Sequence, residues 1–191
     1  MKFKIFLSFL SLIFLITNLS GKEKKVLMVI AFENFRDEEL KVPKEILEKN
    51  GIIVDIASVK KGIAKGMLGT KIDINLTLEE IKENDYDGII FVGGIGSQSL
   101  FTNTHALKLA QNFYKSKKVI GAICLAPGIL AKAGILNGKK ATCFYTASEI
   151  LKKNGAIYTG NLVEIDENIV TGNGPEAAEK FGNEILRLIK K

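Results

Sequence analysis

A cysteine at the end of an apolar run is the first candidate for chemistry in this sequence. The stretch Ala122-Ile123-Cys124-Leu125-Ala126 places small residues two positions before and two positions after Cys124. This is the spacing of the nucleophile elbow G-x-S-x-G with cysteine as the central residue, because a sharp strand-to-helix turn leaves room only for small neighbours. A helix predicted from Pro127 directs its N–H groups near the sulfur, which would lower the pKa of the thiol. The alternative is a buried cysteine that only packs in the core.

A pair of glycines ends another apolar run and is the second candidate. Gly93 and Gly94 follow "GIIFV" and allow a ligand to approach the backbone closely. Together with the N–H of Leu125 they could form an oxyanion hole. The alternative is an ordinary turn between a strand and a helix.

The sulfur needs a group that can accept and return a proton. The sequence contains one histidine, His105, which begins a predicted helix and is expected on the surface. The other candidates are the acids of the run Arg36-Asp37-Glu38-Glu39. A carboxyl group among apolar neighbours and near a thiolate stays protonated at unusually high pH. Each of these acids could equally belong to a solvated first turn of a helix, where the helix dipole favours negative charge.

Strands that alternate with helices are expected to position these groups. Such βαβ units predict one α/β domain with a mostly parallel sheet and helices on both faces. In this architecture the functional crevice lies at the carboxyl ends of the strands. Five single strands are predicted over 24–31, 52–59, 88–94, 117–124 and 139–144, a short hairpin within 66–77, two strands joined by a turn within 161–172, and helices within 36–51, 78–88, 104–116, 127–133 and 174–191.

Residues 1–21 are expected to lie outside this domain, which is assigned to 24–191. The segment has Lys2 and Lys4 near its start, an apolar run over 5–16 and small residues at its end, the pattern of a secretory signal peptide. The run is short for a membrane span, yet an uncleaved anchor stays an alternative. Both possibilities predict a domain outside the cytoplasm, either exported to the periplasm or medium or held at the membrane.

Composition excludes several other classes of protein. The 191 residues carry a net charge of +6, and the lysines are interspersed with acids, so no nucleic-acid partner is expected. With only two cysteines, Cys124 and Cys143, the chain is not a disulfide scaffold. We expect no metal, because no cluster of ligands is visible, and no phosphate-bearing cofactor, because the glycine run lacks the lysine of a phosphate-binding loop.

Four motifs together resemble the ThiJ/PfpI superfamily, which includes the Parkinsonism-associated deglycase and the PfpI-type proteases. They are "DEELKVP", "DYDGIIFVGGIGSQSL", "VIGAICLAPGILAKAGILNGKKATCF" and "IVTGNGP". The resemblance implies a flavodoxin-like, class I glutamine amidotransferase-like fold and commonly a homodimer. It implies a reactive cysteine at Cys124, a buried acid at Glu39, four residues before Pro43, and oxyanion donors at Gly94 and Leu125. Gly93 and Phe144 are expected in the pocket.

Two positions depart from the family pattern. Members regarded as peptidases carry histidine directly after the cysteine, where this chain has Leu125, and the deglycase branch often has histidine where this chain has Phe144. Proteolysis is therefore disfavoured, and a Cys-Glu pair is left. The resemblance then implies action on small aldehydes or reactive dicarbonyls, as a glutathione-independent glyoxalase or a protein deglycase. The alternatives are a redox-responsive protective or chaperone protein of the stress response, in which Cys124 is oxidised, and a non-catalytic relative or an enzyme that acts on another small substrate.

Overall fold

A six-stranded sheet forms the centre of the protein. The computed structural model describes residues 23–191. The strands lie in the order β10-β11-β7-β6-β1-β3, and all neighbours are parallel except β10 and β11. The apolar runs of the sequence become the interior strands, whose side chains are buried on both faces as expected for a parallel sheet. The six strands of this sheet, including the edge strands β3 and β10, are β1 (Lys25–Val29), β3 (Ile53–Ala57), β6 (Gly88–Phe91), β7 (Val119–Ile123), β10 (Val163–Asp166) and β11 (Ile169–Gly172).

Helices cover the sheet and connect its strands. Helix α1 packs against α5, and α5 also contacts β7 and β11, while α2 contacts β6, β7 and α3. The predicted α/β fold with one mostly parallel sheet is confirmed. The helices are α1 (Asp37–Lys49), α2 (Thr104–Lys115), α3 (Pro127–Lys132), α4 (Ser148–Lys153) and α5 (Ala178–Ile189). Within residues 23–191, no helix combines the length and the apolar character needed to cross a bilayer.

A small second sheet lies beside the carboxyl ends of the main strands. It consists of β2 (Glu33–Phe35), β4 (Gly62–Gly66) and β5 (Lys71–Ile74), in the order β2-β4-β5. The predicted hairpin is present as β4 and β5, although it begins four residues earlier than expected. Strand β2 follows β1 directly and was not predicted, because three residues carry no periodic signal.

Two predicted elements were wrong in extent or type. The strand expected over 139–144 is reduced to β8 (Lys140–Ala141), which pairs with β9 (Ile157–Tyr158) outside the main sheet. Beyond β8 the backbone bonds elsewhere: the N–H of Thr142 donates to the Thr171 hydroxyl, and that of Phe144 donates to the carbonyl of Cys124. The helix expected within 78–88 is two separate 3₁₀ turns, Leu78–Glu80 and Glu83–Asp85. Helix α4 and strand β9 were not predicted.

Candidate active site

Cys124 occupies a tight turn directly after β7. Its φ of 62° lies in the left-handed region, which residues other than glycine rarely adopt. The turn is held on both sides, since the N–H of Cys124 donates to the carbonyl of Gly172 at 2.9 Å and its carbonyl accepts from the N–H of Phe144 at 2.8 Å. Ala122 and Ala126 are fully buried, as the predicted elbow requires. A strained backbone fixed in this way is a common property of functional residues.

Glu39 lies opposite Cys124 in the first turn of α1 and is 0% exposed. Gly93 separates the two side chains: a Cβ atom added there would lie 2.6 Å from Cys124 Cβ and would collide with Glu39 Oε2. A residue without a side chain is therefore needed for the carboxyl and the thiol to face each other. Within the described part of the chain, neither carboxyl oxygen of Glu39 makes a hydrogen bond of standard geometry. The Cys124 thiol and the Gly93 N–H are nearby donors that interact with it more weakly.

Burial dominates the acidity of both groups. It raises the pKa of Glu39 to about 7, opposed by the Cys124 thiol and the charge of Arg36. It also raises the pKa of Cys124 to about 12, reinforced by the negative charge of Glu39 and opposed by the N–H groups of Gly94 and Leu125. The sequence-based expectation of a lowered thiol pKa is therefore wrong for this site. The helix that follows, α3, has only six residues, and its field does not outweigh burial beside an acid.

The glycine loop after β6 carries one of the two N–H groups that face the sulfur. Gly94 has a φ of 95°, and a Cβ there would lie 2.5 Å from the carbonyl oxygen of Asn34 and 2.7 Å from the carbonyl carbon of Phe35. The loop can thus approach the chain after β1 only with glycine. The N–H groups of Gly94 and Leu125, which are the predicted oxyanion donors, both favour the thiolate form of Cys124, as donors near its sulfur do.

A pocket of about 480 Å³ opens above Cys124. Phe144 lines it, as expected, whereas Gly93 lies beneath it between the two side chains. Sequence reasoning missed most of the wall, because these residues come from several segments of the chain. Ile95, Gln98 and Pro175 lie within the family motifs, but the motifs do not show which of their residues face a pocket. The additional lining residues are Arg36, Met67, Ile95, Gln98, Thr146 and Pro175.

The three charged residues before Glu39 make contacts of two kinds, an ion pair at the pocket and hydrogen bonds to the turn between β4 and β5. Arg36 lines the pocket and forms a bidentate ion pair with Glu38 at 2.9 and 3.1 Å. Asp37 is buried, and its carboxylate accepts N–H groups from the turn between β4 and β5. Of the three acids, Glu39 faces the thiol. The local pattern left these acids equivalent, and the family resemblance alone singled out Glu39.

The other reactive side chains lie outside this pocket. His105 is on the surface in the first turn of α2, with Nε2 3.3 Å from Glu79 Oε1, as expected. Cys143 is buried and lines a neighbouring pocket of about 330 Å³ on the far side of Phe144. Cys124 and Cys143 are both free thiols. Among residues 23–191, no group of three or more histidine, cysteine or acidic side chains is arranged to hold a metal ion.

Comparison with known proteins identifies the family of this fold and site. The sequence profile of the DJ-1/PfpI family matches residues 24–188. The chain belongs to the DJ-1/PfpI family. It is 49% identical to an uncharacterized protein of Methanocaldococcus jannaschii, covering 89% of this chain and 84% of that one. It is 30% identical to deglycase PfpI of Pyrococcus furiosus, over 87% of this chain and 99% of that one. It is 28% identical to the putative cysteine protease YraA of Bacillus subtilis, over 87% of this chain and 98% of that one.

Solved structures of the family have the same fold. The ThiJ/PfpI domain protein of Brachyspira murdochii matches with a TM-score of 0.86 and 31% identity, covering 89% of this chain and 98% of that one. DJ-1beta of Drosophila melanogaster matches with a TM-score of 0.79 and 25% identity, covering 88% and 92%. The flavodoxin-like fold expected from the sequence motifs is thus confirmed.

Proposed function

We propose that this DJ-1/PfpI protein converts reactive dicarbonyls to hydroxy acids through Cys124 and Glu39, as a glutathione-independent glyoxalase or a protein deglycase. One observation carries the proposal. A buried carboxyl with a pKa near neutrality faces a thiol across Gly93, at the floor of a pocket. A group that both accepts and returns protons works best when its pKa is close to the working pH. The name of the Pyrococcus furiosus relative, a deglycase, supports the same class of reaction.

The first step would be addition of sulfur to the aldehyde carbon. Because the pKa of Cys124 is raised, the thiol must lose its proton as it attacks, and the Glu39 carboxylate is the base beside it. The carbonyl oxygen gains negative charge in this step, and the N–H groups of Gly94 and Leu125 stabilise it. A hemithioacetal forms on Cys124, and Glu39 now carries the proton.

The second step would move hydrogen between neighbouring carbons of the substrate. Glu39 delivers its proton to the oxyanion, then removes the proton from the former aldehyde carbon and returns one to the adjacent carbon, while the hydroxyl proton of the hemithioacetal passes to the former ketone oxygen. This leaves a thioester on Cys124, which water hydrolyses to the hydroxy acid and the free thiol. The aldehyde carbon is oxidised while the ketone carbon is reduced, so the balance of atoms and electrons requires only water.

One assay tests the proposal directly. Methylglyoxal loss and lactate formation are measured without any added thiol for the wild type, Cys124→Ala and the control Cys143→Ala. We expect lactate from the wild type and from Cys143→Ala, and none above background from Cys124→Ala. Lactate release from methylglyoxal already bound to an amine, faster than its spontaneous dissociation, would indicate a deglycase. Equal rates for the wild type and Cys124→Ala would refute the proposal.

Two other functions receive less support from the site. Proteolysis by a Cys-His pair requires a histidine beside Cys124. Leu125 follows the cysteine instead, and His105 lies outside the pocket. Peroxide sensing depends on a thiolate, and both burial and Glu39 raise the pKa of Cys124. The dicarbonyl reaction avoids this problem because the base is next to the thiol.

We also infer a homodimer. Ile95 and Tyr145 are 58% and 71% exposed next to the pocket, an arrangement that favours contact with another protein surface. The molar mass from light scattering tests this directly, and a value equal to one chain at micromolar concentration would exclude a stable dimer.

A further inference from the structure

The turn between β4 and β5 forms one wall of the Cys124 pocket. Met67, the first residue after β4, lines the pocket. Its N–H donates to the carbonyl of Phe35 at 2.9 Å, and the N–H of Gly66 donates to the carbonyl of Thr70 at 2.8 Å. These bonds hold the backbone at Met67 against the segment that precedes α1 and within the turn, and Met67 itself is 42% exposed where it borders the pocket.

Asp37 holds this turn through two further bonds. Its side chain is 3% exposed, and its two carboxylate oxygens each accept one backbone N–H, from Leu68 and from Thr70, both at 2.8 Å. Gly66 lies directly against the carboxylate, since a Cβ there would be 2.6 Å from both oxygens. Burial by itself would raise the pKa of Asp37, but these hydrogen bonds outweigh it and lower the pKa, so the carboxylate form is favoured.

Asp37 and Glu39 belong to the same first turn of α1. The helix end that presents the proposed base to Cys124 thus also fixes the wall above it. The pocket volume of about 480 Å³ lies in the range, roughly 300–1,000 Å³, in which pockets enclose ligands much larger than methylglyoxal. Its lining is mainly apolar and includes Met67, Ile95, Leu125, Phe144 and Pro175.

We propose that Met67 is a specificity-determining residue that selects dicarbonyls with an apolar substituent larger than methyl over methylglyoxal, and that Asp37 is the positioning residue that holds the turn carrying Met67. This inference rests on the proposed function and names its substrate class. The substituent would contact Met67 while the aldehyde carbon meets Cys124. Each additional methylene in an apolar pocket changes selectivity by about tenfold or more, so the effect is measurable.

The test compares isobutylglyoxal with methylglyoxal in initial rates, before arginine side chains react with either compound. We expect the wild type to have a kcat/KM at least about tenfold higher for isobutylglyoxal. Met67→Ala should reduce this ratio by about tenfold, mainly by raising KM for isobutylglyoxal. The control is Ile63→Ala, because Ile63 is exposed on the same hairpin and does not line the pocket. It should leave the ratio unchanged.

Asp37→Asn tests the positioning role. The amide retains one acceptor oxygen but turns an NH₂ group toward one of the two backbone N–H groups, so the turn loses a bond. We expect the same fall in the ratio as for Met67→Ala, again mainly through a higher KM for isobutylglyoxal. KM and the ratio of the two kcat/KM values do not depend on the folded fraction of the sample. A fold defect alone therefore cannot imitate the result.

A second readout separates this inference from the proposed reaction. Protection of Cys124 from alkylation is measured with the two hydroxy acid products, lactate and its isobutyl analogue. We expect the analogue to protect the wild type at about tenfold lower concentration, and to lose that advantage in Met67→Ala. If neither dicarbonyl is turned over but the isobutyl analogue still protects Cys124 better than lactate, only the proposed reaction is refuted. Equal protection by both acids, or a substrate ratio that neither Met67→Ala nor Asp37→Asn alters, would overturn the inference.

Discussion

Asp37 and Glu39 lie two residues apart in the first turn of one helix, yet the pKa values of their buried carboxyl groups are shifted in opposite directions. Asp37 accepts two backbone N–H groups, which lower its pKa, whereas Glu39 receives no comparable bonds and its pKa is raised to about 7. Two carboxyl groups whose surroundings shift their pKa values apart can have different roles in one site. Here the first holds the pocket wall, and the second faces the thiol as the proposed base. The following predictions test this division.

The stability of Glu39→Gln should differ from that of the wild type in a pH-dependent way. The pKa of Glu39 is raised from 4.5 to about 7 by folding, so the folded state holds its proton longer than the unfolded state. The wild type therefore loses stability relative to the glutamine variant as pH rises from about 4.5 to about 7, by up to about 3 kcal/mol. Urea unfolding at pH 4, 6 and 8 measures the difference. If the difference in unfolding free energy between the two proteins is the same at all three pH values, the pKa of Glu39 is not raised in the folded state.

Turnover should depend on Glu39 and hardly on Glu38. Glutamine retains the size of the side chain but cannot transfer a proton, and general acid–base catalysis contributes about 100- to 10,000-fold. We expect Glu39→Gln to lower dicarbonyl turnover by at least about 100-fold. Glu38→Gln is the matched control, because Glu38 pairs with Arg36 and does not face the thiol. Near-wild-type rates in Glu39→Gln would show that another group serves as the base.

Alkylation of Cys124 should become faster at neutral pH when Glu39 is neutralised. The negative charge of Glu39 contributes to the raised thiol pKa, so its removal should shift the pH profile of alkylation to lower pH. The comparison uses iodoacetamide with Cys143→Ala and with the double variant Cys143→Ala/Glu39→Gln, so that one thiol is followed. If both proteins have the same profile, or if the double variant reacts more slowly, the electrostatic coupling inferred between the two side chains is wrong.

Gly93→Ala should abolish turnover. The new methyl group would collide with the Glu39 carboxyl and lie 2.6 Å from Cys124 Cβ, which forces the pair apart. Gly51→Ala is a useful control, because Gly51 has a φ of 78° but no atom within 4 Å of an added Cβ. It should cost about 1 kcal/mol of stability through backbone strain and leave turnover unchanged. An active Gly93→Ala enzyme would show that the close approach is not required.

The N-terminal segment should direct the protein out of the cytoplasm. This proposal rests on the basic start and short apolar run of residues 1–21, which lie outside the described residues. Cell fractionation combined with N-terminal sequencing of the mature protein checks it. A shortened product outside the cytoplasm indicates a cleaved signal, and a full-length product in the membrane indicates an anchor. Full-length protein in the cytosol would exclude both.

Much of the fold followed from patterns that are local along the chain. Apolar runs such as 24–31 and 88–94 predicted buried parallel strands, because a strand covered on both faces must be apolar throughout. Small residues around Cys124 predicted the elbow for a similar reason, since the requirement acts on immediate neighbours. The segment after Ala141 was misassigned because Thr142 and Cys143 are buried without pairing in a strand: the N–H of Thr142 donates to the Thr171 hydroxyl, and that of Phe144 donates to the carbonyl of Cys124. No sequence period distinguishes these two kinds of burial.

The chemistry of the site was decided by tertiary structure. The sequence supplied a cysteine and a group of acids, and the family motifs pointed to Glu39, but only the packing of α1 against the glycine loop brings that carboxyl to the thiol. The pKa of Cys124 was predicted in the wrong direction because the sequence shows the following helix but not the depth of burial or the charge opposite. Arg36, Met67 and Pro175 entered the pocket from three separate loops. A pKa and a pocket depend on distances between residues far apart in the chain, and the fold sets those distances.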